Sequence, residues 1–242
     1  MAVNPLKIDL NADLGEGGTQ DEALMPLISS ANIACGGHAG DTQSMRRTLL
    51  LAKQYGVNVG AHPSYPDREH FGRISMTLSP EALYATLHQQ ISALKSLCDD
   101  LSIKLSHIKP HGALYNDAAN NKALGQIIIK VIKAIDPRLK LMILAGSPLV
   151  EQAKAAGIEV IEEAFADRSY LADGTLAPRS QPGAVLHDAD KMLAQVSAII
   201  ERRQLTAITG ETIPCTATSL CLHGDNQEAL RFAKLIRSCV QP

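Results

Sequence analysis

The sequence of 242 residues contains few aromatic side chains. Phenylalanine, tryptophan and tyrosine make up 3% of it, and tryptophan is absent. Extended sugar-binding grooves and grooves for single-stranded nucleic acid depend on aromatic platforms, so this composition counts against both. Basic residues are not in excess either, since 23 Lys and Arg stand against 25 Asp and Glu. Nucleic acid and anionic membranes usually require a basic face, and we expect neither as a partner.

Long apolar runs and paired cysteines are also missing. No apolar stretch approaches the roughly 20 residues of a membrane-spanning helix. The first residues, MAVNPLKIDLNADLGEG, lack the basic start and long apolar stretch of a signal peptide. The five cysteines are scattered and include no C-x-x-C pair, which argues against a disulfide framework and a thiolate zinc site. These absences predict a cytoplasmic protein.

Signatures for nucleotide binding and for a serine nucleophile are absent as well. The segment GEGGTQ lacks the last glycine of G-x-G-x-x-G, and no G-x-x-x-x-G-K-[ST] occurs. A G-x-S-x-G elbow is not found either. The sequence therefore shows no standard phosphate cradle.

The sequence does contain a regular alternation of short apolar runs and longer amphipathic segments. Strand followed by helix, about seven times over, predicts an α/β fold with a parallel sheet. The pattern leaves two closures open, a doubly wound open sheet and a barrel. No linker or composition break divides residues 1–242, which we expect to form a single domain. The predicted strands span residues 6–12, 30–35, 57–62, 105–111, 139–146, 158–166 and 219–225, and the predicted helices span 42–56, 79–101, 121–136, 147–157, 188–204 and 226–240.

Ionisable side chains follow six of the seven predicted strands. Ligands of parallel α/β folds bind at the carboxyl ends of the strands, and four of these ends carry a histidine. Ordinary loops favour Lys, Glu, Ser and Asn instead, so we predict one shared site. Its candidate residues in chain order are Asn11, Asp13, His38, His62, Lys109, His111, Glu163, Arg168, His223 and Asp225. The irregular stretch 166–187 is rich in Gly, Pro, Asp and Arg, and we expect it to be a lid over that site.

Six motifs along the chain together resemble the LamB/YcsF family. In order they are KIDLNADLGEG, ANIACGGHAGD, VGAHPSYPDREHFGR, IKPHGALYN, EAFADRSYLADGTLAPRSQPGAVLHD and CLHGDN. The resemblance runs from near residue 6 to near residue 225. It implies a seven-stranded variant of the (β/α) barrel, related to glycoside hydrolases and deacetylases. It also implies hydrolytic opening of 5-oxoproline (pyroglutamate) to glutamate with ATP as co-substrate, in a 5-oxoprolinase whose A subunit is the family member. Subunits B and C would be its partners, with magnesium in those partners.

Opening a stable five-membered lactam requires a general base, a general acid and groups that stabilise negative charge. We predict Asp13 as the base, oriented by Asn11 or His38. His62 and His111 are candidate acids, since imidazole titrates near neutral pH. The predicted catalytic group is Asp13, His38, His62, Lys109 and His111.

The remaining candidates are predicted to bind substrate. Arg168, like Lys109, suits the carboxylate or phosphoryl group of a ligand. The set predicted for substrate binding is Asn11, Glu163, Arg168, His223 and Asp225.

Two alternatives remain open at this level. Asp13, His38 and His62 follow three neighbouring strands and form a plausible divalent-metal set. A metal there would fit a deacetylase acting on an amidated sugar. The missing nucleotide signature would instead fit a non-catalytic subunit that binds the lactam for a partner.

Overall fold

Seven parallel strands close into a barrel in the computed structural model, which describes residues 8–222 and 228–239. Within these ranges there are nine strands: β1 (Asp9–Leu14), β2 (Ser30–Ala34), β3 (Asn58–His62), β4 (Leu105–Ile108), β5 (Lys140–Leu144), β6 (Val160–Phe165), β7 (Gln204–Thr206), β8 (Thr212–Pro214) and β9 (Ser219–Leu222). The barrel order is β1-β2-β3-β4-β5-β6-β9, and β9 pairs with both β6 and β1. The predicted strands are confirmed, and the closure is a barrel.

Helices surround the barrel. The described residues form α1 (Asp21–Leu24), α2 (Thr42–Tyr55), α3 (Pro80–Asp100), α4 (Gly112–Asn120), α5 (Lys122–Ile135), α6 (Pro148–Ala155), α7 (Ala189–Ser197) and α8 (Ala229–Cys239), with a 3-10 turn at Met25–Leu27 and a π-helical turn at Ala198–Arg202. The six predicted helices are present. None of the described helices is long and apolar enough to cross a membrane.

Besides the short helix α1, two larger features were not expected from the sequence. A separate helix, α4, begins directly after His111, and Asn121 then starts α5 by accepting hydrogen bonds from the N–H groups of Ala123 and Leu124 at 3.0 and 3.2 Å. Strands β7 and β8 pair with each other as an antiparallel hairpin outside the barrel. Both insertions lengthen connections and leave the order of the barrel strands unchanged.

Side chains alternate between the barrel interior and the helices because successive residues of a strand point to opposite faces. Leu10, Ala12 and Leu14 of β1 belong to the apolar core. Asn11 and Asp13, between them, are buried with polar partners on other strands. Along β1, polar side chains therefore face the barrel interior, and an apolar layer lies between the strand and the helices.

Candidate active site at the carboxyl ends of the strands

A cavity of about 350 Å³ opens at the carboxyl ends of the barrel strands. This size lies at the small end of ligand pockets, roughly 300–1,000 Å³. Five predicted site residues line it: Asp13, His62, Lys109, His111 and Arg168. The cavity thus lies at the end of the sheet where one shared site is predicted, and it brings these five residues together.

At the cavity, two histidine rings each point a ring nitrogen that carries a lone pair at the other ring. His62 Nδ1 donates to the Lys109 carbonyl at 2.7 Å, and His111 Nε2 donates to the Phe71 carbonyl at 2.9 Å, because a carbonyl oxygen only accepts. Phe71 has a φ of 57°, a rare left-handed conformation for a bulky residue. The remaining nitrogens, His62 Nε2 and His111 Nδ1, lie 2.9 Å apart. In two neutral rings both of these nitrogens would carry lone pairs, which repel each other at this distance. The contact therefore requires a proton shared between the nitrogens or a cation bound by both.

Glu16 brings a carboxylate to the same point. Its Oε1 lies 2.8 Å from His38 Nε2, 3.4 Å from His111 Nδ1 and 3.8 Å from His62 Nε2. The His38 ring stacks on His111 with a centroid distance of 3.6 Å. Burial, followed by the charge of His62, lowers the pKa of His38 to about 2 and also lowers that of His111. Both rings are thus neutral near pH 7. His111 Nδ1 keeps its lone pair at this point, whereas His38 Nε2 donates to Glu16 Oε1 because a carboxylate only accepts.

The donor set fits a divalent metal ion. Glu16, His38, His62 and His111 each offer one atom, and all four atoms lie within 4.8 Å of one another. Two ligands that each lie about 2.1 Å from one ion are about 3.0–3.4 Å apart, close to the separations observed. Of the predicted metal ligands, His38 and His62 belong to this group. Asp13 stands beside it, with Oδ2 at 3.3 Å from His62 Nε2.

Lys109 directs its ammonium group to protein acceptors in the barrel interior. Nζ lies 2.9 Å from Asp13 Oδ1 and 2.8 Å from Glu163 Oε1, with Asn11 Oδ1 at 3.3 Å. Burial would lower the pKa of Lys109, but the Asp13 and Glu163 carboxylates raise it well above its usual value. The lysine is therefore charged, and a cation at this distance favours the ionised form of the Asp13 carboxyl group.

Asn11 and Glu163 lie in a buried layer next to Lys109. Both side chains are fully buried, and Asn11 Nδ2 donates to Glu163 Oε1 at 2.9 Å and to Ser219 Oγ at 2.8 Å. Neither residue lines the cavity. Their side chains hold Lys109 and Asp13 in place from behind and do not themselves face the cavity.

The predicted lid, residues 166–187, is folded against itself beside the cavity. Arg168 fixes it by donating from Nη2 to the Ala177 carbonyl at 2.6 Å and from Nε to the Ala184 carbonyl at 3.3 Å. Burial, and then the charge of Arg179, lower the pKa of Arg168 to about 10. Arg168 and Arg179 both line the cavity, so this wall is cationic.

The LamB/YcsF family model matches residues 8–242. The chain belongs to the LamB/YcsF family. Its curated relatives include the 5-oxoprolinase A subunit of Neisseria meningitidis (serogroup A), 50% identical over 231 residues that cover 96% of this chain and 94% of the relative. The protein of the same name from Haemophilus influenzae (strain PittEE) is 49% identical over 230 residues, covering 95% and 94%.

Solved structures agree with the LamB/YcsF assignment. The lactam utilization protein from Thermus thermophilus has 39% identity and a TM-score of 0.89, covering 96% of this chain and 95% of that one. A putative cellobiose-phosphate cleavage protein from Enterococcus faecalis V583 has a TM-score of 0.59 at 11% identity, covering 97% and 91%. At that identity the second likeness concerns the fold alone.

The structure also brings to this LamB/YcsF site residues that were not among the predicted ones. Glu16, Arg73, Tyr115 and Arg179 line the cavity. Glu16 follows a strand directly and was recognisable as a strand-end carboxylate, whereas the other three come from a loop, a helix and the lid. Burial and Glu163 raise the pKa of Tyr115 well above its usual value, so its hydroxyl stays protonated.

His223 and Asp225 lie outside the described residues. Cys35 is buried, and burial raises the pKa of its thiol to about 12. A thiol in that state is a poor nucleophile, in line with a packing role.

Proposed function

We propose that this protein opens the ring of 5-oxoproline, or of its phosphorylated form, to give glutamate. It would act as the A subunit of an ATP-dependent 5-oxoprolinase, with subunits B and C as partners. The relatives that are named as 5-oxoprolinase A subunits support this assignment. The observation that carries it is one small cavity that combines the carboxyl group of Asp13, paired with Lys109, with histidine nitrogens and a cationic wall.

Asp13 is the general base of this proposal. Lys109 keeps the carboxylate charged and occupies Oδ1, so that Oδ2 is turned toward His62. A carboxylate held in this way takes the proton of a water that adds to the ring carbon. The His62–His111 pair is placed to return a proton to the ring nitrogen as the C–N bond breaks.

The histidine–Glu16 group would hold a divalent cation through Glu16, His62 and His111, with His38 behind Glu16. Such an ion, when bound, polarises a carbonyl oxygen and lowers the pKa of a bound water. The ring nitrogens of His62 and His111 that face each other can bind either that ion or a shared proton, but not both at once. Metal content therefore decides which group acts as the acid.

The cationic wall is the proposed site for the negative end of the ligand. Arg168 is buried and, apart from the two lid carbonyls, faces the cavity together with Arg179. A guanidinium binds carboxylates and phosphates with paired hydrogen bonds. Phe165, on the same wall, would pack against the ring methylenes.

ATP and its magnesium are assigned to subunits B and C in this proposal. No standard phosphate cradle occurs in the sequence. Phosphorylation of the lactam oxygen by the partners would give a ring carbon with a good leaving group. This chain would then add water to that carbon and break the C–N bond as the ring nitrogen takes up a proton, which gives γ-glutamyl phosphate. A second water would hydrolyse that acyl phosphate to glutamate and inorganic phosphate.

The test is glutamate release from 5-oxoproline and ATP, with this chain alone, with subunits B and C alone, and with the mixture. We expect release only in the mixture. Asp13→Asn should lower kcat about 10²–10⁴-fold with ligand binding retained, and Asp99→Asn on the exposed face of α3 is the matched control. Full activity of this chain alone would overturn the assignment of ATP to the partners. Unchanged kcat in Asp13→Asn would remove Asp13 from the reaction.

A metal-dependent deacetylase is the second candidate, and the Glu16–histidine group is the observation that favours it. Acetate release from an N-acetylated sugar by the metal-loaded chain, without glutamate release in the mixture, would support that function. A mixture whose glutamate release is unaffected by Asp13→Asn, while this chain still binds 5-oxoproline, would indicate a non-catalytic binding protein.

A further inference from the structure

Two buried residues behind the cavity form a hydrogen-bonded chain that ends at Asp13. Asn32 on β2 and His107 on β4 are both fully buried. Asn32 Nδ2 donates to Asp13 Oδ1 and to Asn11 Oδ1, each at 2.8 Å, and His107 Nε2 lies 2.7 Å from Asn32 Oδ1. The chain thus crosses the barrel interior from β4 through β2 to β1.

The direction of every hydrogen bond in this chain is fixed by its neighbours. An ionised carboxylate only accepts, so Asn32 must turn its NH₂ group to Asp13 and its oxygen to His107. His107 must then carry its proton on Nε2, and its Nδ1 accepts from Ser106 Oγ at 2.7 Å. A flipped Asn32 amide would place its oxygen against the oxygens of Asp13 and Asn11.

Gly60 on β3 makes room for the His107 ring. A Cβ atom at residue 60 would lie 2.1 Å from His107 Nε2. Gly60 is paired in register with Asn32 on one side and His107 on the other. The ring can reach Asn32 only across a residue without a side chain.

We propose that Asn32 is the positioning residue of Asp13 and that His107 holds Asn32 in the required orientation. The proposal rests on the proposed function, in which Asp13 is the base. Asn32 and Lys109 together occupy Asp13 Oδ1, at 2.8 and 2.9 Å. Their joint effect is to fix the plane of the carboxylate and the direction in which it faces the cavity.

The first test compares His107→Met, which removes the donor, with His107→Gln, which supplies an N–H at a similar distance. In the mixture with subunits B and C, His107→Met should lower kcat about 10–100-fold and leave KM for 5-oxoproline within about threefold. His107→Gln should recover most of the loss. His88→Met, a half-buried histidine on α3, is the matched control and should leave kcat unchanged. Equal kcat in His107→Met and wild type, or no recovery in folded His107→Gln, would overturn the proposal.

The second test does not depend on turnover. In ¹⁵N–¹H spectra of the chain alone, the Asn32 side-chain protons should exchange slowly with water, and at least tenfold faster in His107→Met. Unchanged exchange would show that His107 does not hold Asn32 and would overturn the proposal. If the wild-type mixture releases no glutamate, the proposed function fails by itself, and this exchange measurement still decides whether His107 orients the amide that faces Asp13.

Discussion

The same strands form the barrel interior and the apolar layer outside it, but the interior is held by hydrogen bonds and ion pairs and the outer layer by apolar packing. Inside, Asn11, Asp13 and Lys109 are each held by specific partners at hydrogen-bond distance. Outside, Leu10 and Leu14 pack among other apolar side chains. Apolar packing tolerates substitutions of similar volume, whereas a buried polar network is stable only when every member is paired. The interior therefore determines geometry, and the outer layer provides stability.

The largest expected effect comes from breaking the interior at the buried ammonium group of Lys109. Lys109→Met would leave Asp13 and Glu163 without their cation, and we expect the free energy of unfolding to fall by about 3–5 kcal/mol. Chemical denaturation of the purified variant measures it. Adding Asp13→Asn and Glu163→Gln to Lys109→Met should recover much of the loss, because the buried charges are gone. A loss below about 1 kcal/mol in the single variant would show that water replaces the lysine.

A substitution in the apolar layer should lower the free energy of unfolding by less, because it leaves no charged partner unpaired. Leu10→Ala removes a side chain that is 1% exposed, and we expect a loss of about 3 kcal/mol from lost burial and the cavity left behind. Leu10→Met, of similar volume, should cost under about 1.5 kcal/mol. Equal losses in Leu10→Met and Leu10→Ala, by the same denaturation, would contradict the comparison of the two layers.

The smallest expected effect is the part of the pH dependence of stability that His107, in the barrel interior, creates. Burial, with the charge of Lys109, lowers the pKa of His107 from 6.5 to about 3. The unfolded chain takes up a proton below pH 6.5 that the folded chain does not bind, so stability falls as the pH drops from 6.5 toward 3. Each such histidine contributes about 1.4 kcal/mol per pH unit. Between about pH 6 and 4, His107→Gln should reduce the slope by about that amount, whereas Leu10→Ala should leave the slope unchanged.

The same contrast explains which parts of the structure could be predicted from the sequence. Runs such as LKIDLNA and LKLMILAG indicate strands because their apolar residues must be buried. The alternation with helices then predicts a parallel sheet. Closure into a barrel depends on β9 pairing with β6 and β1 across the β7–β8 hairpin. Local periodicity contains no information on such long-range pairing, and only the family resemblance indicated it.

The candidate site was predictable only where a residue stands directly at a strand end. Asp13, His62 and His111 meet as expected. Asn32 and His107 lie inside their strands and look like ordinary strand residues, and their roles arise from contacts over 75 positions of sequence. Arg179 reaches the cavity because Arg168 ties the lid segment back on itself, a fold that composition does not predict.

The pairing of β1 with β9 has a consequence for the order in which the molecule is made. The Asp9 N–H donates to the Thr218 carbonyl at 3.0 Å, so the first barrel strand synthesised is completed by one of the last segments. At roughly 5–20 residues per second, about 200 intervening residues take about 10–40 s to emerge. Throughout that interval one edge of β1 has no strand beside it, and unpaired edges attract other chains. The edge of β1 that β9 covers in the folded barrel is therefore exposed until the segment near residue 219 has been synthesised.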